Sequence, residues 1–185
     1  MKAGILALQG DFREHALVLA DAGATPVEVR TPAELSVADL LVIPGGESTT
    51  IAKLAASAGL VDPIVARARE GMPILGTCAG MIVLCSRIEG GEPLLGLVDA
   101  TVRRNAYGRQ VDSFEADLAV DGIDHPVRGV FIRAPVVEAV GEGVRVLAVH
   151  EGHPVVIEQG NLVAASFHPE LVGETALHEY VMRKA

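Results

Sequence analysis

The sequence predicts an α/β fold, a doubly wound and mostly parallel sheet with antiparallel additions in the C-terminal half. Three observations predict it. Over the first 85 residues, short Val/Ile/Leu runs alternate with amphipathic stretches, the pattern of strand–helix–strand units. With four Phe, two Tyr and no Trp, the core must be built from Ala, Val, Leu and Ile, which suits buried strands under Ala-rich helices. After Ser86 the apolar runs are joined by short turns, as in antiparallel additions.

Taken in order, residues 4–8 read as a strand ending in Gln9-Gly10-Asp11. Asp11 with Glu14 has the form of a capping box opening a helix over 12–22, stopped by Gly23. Residues 26–29 and 39–43 are the next strands, the second running into Pro44-Gly45-Gly46. Helices follow over 49–58 and, from Asp62-Pro63, over 62–70. Residues 72–75 are a fourth strand, and 79–85 begin a helix. Strands are then expected at 100–103, 110–120, 127–132, 144–149, 154–158 and 162–167, before a closing helix at 174–184. No linker-like stretch and no internal repeat divides the chain, so residues 1–185 are expected to form one domain.

Composition narrows the classes of function. Half the residues are apolar and 21% are charged, which excludes disordered and low-complexity classes. Fifteen Lys and Arg against 24 Asp and Glu give a net charge of −9, which argues against nucleic acid or an anionic membrane as partner. No apolar run approaches the ~18 residues that span a bilayer, and the run at 3–8 is short for a signal peptide. A cytoplasmic protein is the expectation. Cys78 and Cys85, seven residues apart on an expected helix, would lie ~10 Å apart, beyond disulfide reach. Both are expected as free thiols, and neither their spacing nor the histidines nearby suggest a metal site.

Chemistry concentrates in three places. Gly76-Thr77-Cys78-Ala79-Gly80, between a strand and a helix, has the spacing of a nucleophile elbow with Cys in place of Ser. The helix that follows turns its N-terminus toward Cys78, which favours a thiolate. Cys85, at an apolar helix position, reads as packing. Of six histidines, His168 ends an apolar strand and is followed by Pro169 and Glu170. In an extended segment these two side chains would lean to one side, a base beside the carboxylate that orients it. His125, His150 and His153 read as surface-loop residues. Third, Pro44-Gly45-Gly46-Glu47-Ser48-Thr49 offers backbone N–H groups that, with the N–H of Ala79, could hold an oxyanion. Taken alone, it is also an ordinary βα turn with a Ser/Thr helix cap. It lacks the Gly-Lys-Ser/Thr ending of a phosphate loop.

In this order the three elements resemble the class I, triad-type glutamine amidotransferases, a flavodoxin-like family. The resemblance is strongest to the glutaminase subunits of pyridoxal 5′-phosphate synthases. It is carried by Leu8-Gln9-Gly10-Asp11 with Glu14-His15, Gly45-Gly46-Glu47-Ser48-Thr49-Thr50 and Gly76-Thr77-Cys78-Ala79-Gly80. Further blocks are Arg104-Asn105 with Gly108-Arg109-Gln110, Asp112-Ser113-Phe114-Glu115, Phe131-Ile132-Arg133-Ala134-Pro135 and Ser166-Phe167-His168-Pro169-Glu170-Leu171. Tyr107, where Phe is usual, and Glu158, where a basic residue is common, depart from the pattern.

The resemblance implies Cys78 as nucleophile, His168 as base and acid, and Glu170 as its orienter. It implies that Gly46, Glu47, Ser48, Arg104, Ile132 and Arg133 bind L-glutamine, with Gly46 and Ala79 serving the oxyanion. It implies no cofactor, and a (β/α)₈-barrel pyridoxal 5′-phosphate synthase subunit as partner, taking up ammonia through a sealed route. The Gln9–Asp11 turn and residues 104–115 are candidates for the docking face. Alternatives are the glutaminase of another synthase, such as imidazole glycerol phosphate synthase, or an elbow-cysteine redox sensor or chaperone that is no amidase.

Overall fold

The computed structural model describes residues 1–104 and 113–185. Seven strands form the central sheet: β1 (Lys2–Leu6), β2 (Thr25–Val29), β3 (Leu40–Ile43), β4 (Ile74–Thr77), β10 (Arg145–His150), β11 (His153–Gln159) and β12 (Leu162–Ala165), in the order β10-β11-β12-β4-β3-β1-β2. From β12 to β2 every neighbour is parallel, while β10 and β11 extend the edge antiparallel. The mixed α/β class with a mostly parallel sheet is therefore as expected.

Alternation along the strands builds two cores. Leu41 and Ile43 of β3, Ile74 of β4 and Ala164 of β12 join one apolar cluster, whereas Leu40 and Val42, Leu75, and Val163 and Ala165 join the other. Since successive side chains point to opposite faces, both faces are buried, as a parallel sheet requires. Helices α2 (Pro32–Ser36), α3 (Ser48–Ser57), α4 (Val61–Arg69) and α5 (Ala79–Leu84) contribute Leu35, Ile51, Ile64 and Met81 to the first cluster. Helices α1 (Phe12–Asp21) and α6 (Ala176–Met182) contribute Leu19, Leu177 and Val181 to the second.

Two small sheets complete the described residues: β5 (Cys85–Ile88), β6 (Val98–Arg103) and β9 (Val136–Val140), and the antiparallel pair β7 (Phe114–Leu118) and β8 (Val127–Phe131). Within the first, β5 runs parallel to β6, so not every addition is antiparallel.

The local expectations fail where local signals compete. The Asp11–Glu14 capping box does not form, because Asp11 makes no side-chain cap and turns to His168 instead. A true box lies at Thr31-Pro32-Ala33-Glu34 and starts α2, a helix the sequence reading passed over. Helix α3 is capped by Glu47 rather than by Ser or Thr, and α4 opens at Val61 without a side-chain cap. Strand β4 runs two residues later than expected, so Gly76 lies inside it. Cys85 opens β5 rather than sitting inside a helix, and β9 was not anticipated. His150 and His153 end and open strands, with the His150 ring stacked on Phe114 and Phe131, while His125 is exposed beside Asp124. The expected strand residues 110–112 lie outside the described residues, as do Asn105, Tyr107, Gly108, Arg109, Gln110 and Asp112 of the motif blocks. Among the described residues no single helix is long and apolar enough to cross a membrane.

Candidate active site

The C-terminal ends of β1, β3, β4 and β12 meet on one edge of the sheet, where ligand sites of open α/β sheets lie. Cys78 follows β4 with φ 48° and ψ −103°, a conformation that costs an L-residue about 1–3 kcal/mol. Its N–H donates to the Ala165 carbonyl of β12 at 2.8 Å, and Gly80 makes the bend possible: a Cβ there would collide with the Ile43 carbonyl of β3. The thiol points toward the Ile132 carbonyl at 4.0 Å. As the first residue of α5, Ala79 has an N–H with no intrahelical acceptor, free for a bound oxygen.

His168 is clamped to β8 by two backbone hydrogen bonds with Val130, its N–H donating at 2.8 Å and its carbonyl accepting at 3.3 Å. Glu170 is placed differently than expected. Pro169 (φ −70°, ψ −30°) leads into a 3-10 turn, Glu170–Val172, so the segment is not extended. That turn still brings Glu170 Oε1 to 2.7 Å from His168 Nδ1, with the Glu170 side chain fully buried. Asp11 Oδ2 reaches the same nitrogen at 3.3 Å. Burial of the ring opposes its charge, but hydrogen bonds to Asp11, Cys78 and Glu170 outweigh it and push the His168 pKa up to about 12. Burial pushes the Glu170 carboxyl upward against the pull of His168. Among the described residues, Asp11, His168 and Glu170 are the group whose donor atoms converge as a metal site's would, within 4.8 Å. Two carboxylates sharing one imidazole N–H explain that convergence without an ion.

The glycine loop is tied to the β1 turn. The Glu47 N–H donates to Gln9 Oε1 at 2.8 Å, and the Asp11 N–H to the Gly45 carbonyl at 3.3 Å. Gly46 has φ 141°, and a Cβ on it would meet Gln9 Oε1 at 2.5 Å. The Glu47 carboxylate, exposed, caps α3 through the hydroxyls of Thr49 and Thr50 and the Thr50 N–H, which outweigh desolvation and hold its pKa down to about 2.

Gly46, Glu47, Ser48, Cys78, Ala79, Ile82, Arg104, Ile132 and Arg133 line one cleft that holds about 500 Å³ of space open to solvent. Each glutamine-binding and oxyanion candidate named from the sequence lies on its wall. Arg104 Nε is buried with no hydrogen-bond partner among the described residues, and Arg133 sits at φ 45°, strained and exposed. Asp11 and Ile82 went unnoticed as site residues. Ile82 lies four positions after Cys78, one helical turn on the same face, and that spacing could have found it. Asp11 was masked by its resemblance to a cap.

A nucleophile-bearing bend, a buried imidazole with its carboxylate, and free N–H groups around a cleft of mixed polarity can perform acyl transfer at an amide. Comparison with known proteins agrees. Residues 5–185 match the model of the SNO glutamine amidotransferase family. Relatives named pyridoxal 5′-phosphate synthase subunit PdxT include one from Streptomyces coelicolor, 56% identical over 95% of this chain and 89% of its own. Another, from Desulforudis audaxviator, is 53% identical over 98% and 97%. A solved structure described as a glutamine amidotransferase superposes with a TM-score of 0.94 at 49% identity, covering 98% of this chain and 97% of that one. The chain belongs to the SNO glutamine amidotransferase family.

Proposed function

We propose that residues 1–185 form one glutaminase domain in which Cys78, His168 and Glu170 hydrolyse L-glutamine to L-glutamate and ammonia. The chain is the glutaminase subunit of a pyridoxal 5′-phosphate synthase, in vitamin B6 biosynthesis. The observation that carries the site assignment is one shared cleft, lined by Cys78 together with every candidate glutamine contact.

Cys78 Sγ attacks the amide carbon, and the carbonyl oxygen takes the charge between the N–H groups of Gly46 and Ala79. His168, having taken the thiol proton, hands it to the departing nitrogen. The C–N bond breaks, ammonia leaves and a γ-glutamyl thioester remains. Water then attacks that carbon, His168 takes its proton, and the C–S bond breaks to release glutamate. Glu170 keeps the Nδ1 proton of His168 in place throughout. Arg104 and Arg133 are suited to the substrate carboxylate, and the buried Nε of Arg104, without a partner among the described residues, supports that role.

Ammonia released into water would be protonated and lost as a nucleophile, so its consumer must be docked on this chain. The family resemblance supports a (β/α)₈-barrel synthase subunit in that place. The Gln9–Asp11 turn is a suitable contact, because it holds the Gly45–Glu47 loop. Two unpaired thiols suit work in the cytoplasm. Ammonia release by the chain alone and with the barrel subunit tests the pairing. Strong stimulation and co-elution are expected, and equal rates with separate elution would refute it.

A further inference from the structure

Beside Glu170, and not part of the cleft wall, lies a second polar group that the reaction above does not use. His15 of α1 and His178 of α6 are 0% and 1% exposed. His15 Nδ1 meets His178 Nε2 at 2.8 Å, and His15 Nε2 meets Thr77 Oγ1 at 3.0 Å and Glu170 Oε1 at 3.4 Å. Thr77 is the residue immediately before the Cys78 bend. Glu170 Oε2 is buried without a partner among the described residues, so the aim of this carboxylate rests chiefly on what touches Oε1.

The contacts assign the protons. Burial holds both rings neutral, with the His178 pKa down to about 4 and that of His15 well below its ordinary value. A bare lone pair on His15 Nε2 would repel the Glu170 oxygen, so Nε2 carries the proton and Nδ1 accepts from His178 Nε2–H. His178 Nδ1 is then a bare lone pair. Among the described residues that nitrogen has no hydrogen-bond partner. A buried N–H without an acceptor there would be the costlier choice.

We propose that His15, backed by His178, is a positioning residue for glutamine hydrolysis, holding Glu170 Oε1 from a second direction. This rests on Glu170 being the orienter of His168. Its consequence is that Glu170 is fixed by two imidazoles, only one of which reaches the reacting atoms.

The test is steady-state glutamine hydrolysis, with the synthase partner present, by His15→Leu, His15→Gln, Glu170→Ala and the His15→Leu/Glu170→Ala double variant. His15→Leu is expected to lower kcat about tenfold with KM nearly unchanged, the scale of a small misplacement at a reacting group. His15→Gln, whose amide N–H can take the place of Nε2–H, is expected to recover most of that loss. In the Glu170→Ala background His15→Leu should cost almost nothing more, because its effect travels through Glu170. Equal losses in both backgrounds, or full turnover by His15→Leu, would overturn the proposal. Full turnover by Glu170→Ala alone would overturn the triad reading as well. If His15→Leu does not fold, His178→Leu carries the same cycle with a smaller expected loss.

Discussion

Two carboxylates in the C-terminal half, Glu158 and Glu170, are nearly equally shielded, at 5% and 4% exposed, yet they are held in opposite ways. Both oxygens of Glu158 are satisfied. Arg145 donates to Oε1 at 3.1 Å, while Tyr180 and Lys184 each reach Oε2 at 2.7 Å. Burial pushes its carboxyl up, but Lys184, Tyr180 and Arg145 together pull it below the ordinary range. Glu170 is contacted by the His168 and His15 rings with Asp11 nearby, keeps one oxygen without a partner among the described residues, and is pushed the other way. The first arrangement ties β10, β11 and the C-terminal helix together. The second leaves a carboxylate dependent on the protons of its neighbours. The fully satisfied carboxylate is suited to holding elements together, and the incompletely satisfied one to responding to a proton on its neighbour.

Substitutions at the two sites should separate these roles. His168→Asn is expected to lower glutamine turnover by about 10⁴-fold or more while glutamine still binds, and Glu170→Gln to be roughly ten- to a hundredfold milder. Glu158→Gln should leave turnover nearly intact and lower unfolding stability by about 1–3 kcal/mol, the cost of breaking hydrogen bonds to charged groups. Kinetics and urea midpoints on the same preparations check both, and an activity loss at Glu158 matching that at Glu170 would erase the distinction.

A smaller effect is expected from pH. His178 titrates near 6.5 in the unfolded chain and about 4 in the folded one. Below pH 6.5 the unfolded state therefore binds a proton that the folded state refuses, and stability falls as pH drops toward 4. The loss is at most about 3 kcal/mol from this group. Glu47, lowered to about 2, is stabilising above 4.5 and loses that contribution only further down, between 4.5 and 2. Urea unfolding of His178→Leu should show a flatter slope between pH 6.5 and 4, and an unchanged slope would contradict the neutral assignment.

Smallest is the contrast between the thiols. Burial pushes Cys85 up to about 12, so iodoacetamide at pH 8 should label Cys78 and spare Cys85. Cys85→Ala should cost some stability and little activity. Equal labelling of both would contradict the packing role.

The fold was legible because strand–turn–helix punctuation repeats along the first half of the chain, and because Cys78, His168 and the glycine loop each end a Val/Ile-rich strand. What escaped depends on distance in sequence. Asp11 looked like a cap, and only the packing of β1 beside β3 reveals that it faces His168. Glu158 read only as a departure from the family pattern, and its partners lie 13, 22 and 26 residues away. Cys85 sits where a helix passes into a strand that pairs with residues beyond Leu97, and no local pattern records that pairing. His15 and His178 are 163 residues apart, and each alone reads as an ordinary helix residue.

The most direct test of the central assignment is ammonia release from L-glutamine by wild type and Cys78→Ala, each with the synthase subunit bound. Equal amounts of glutamate and ammonia from the wild type, and neither from Cys78→Ala, are the predicted result. Sustained glutamine hydrolysis by Cys78→Ala would contradict the account.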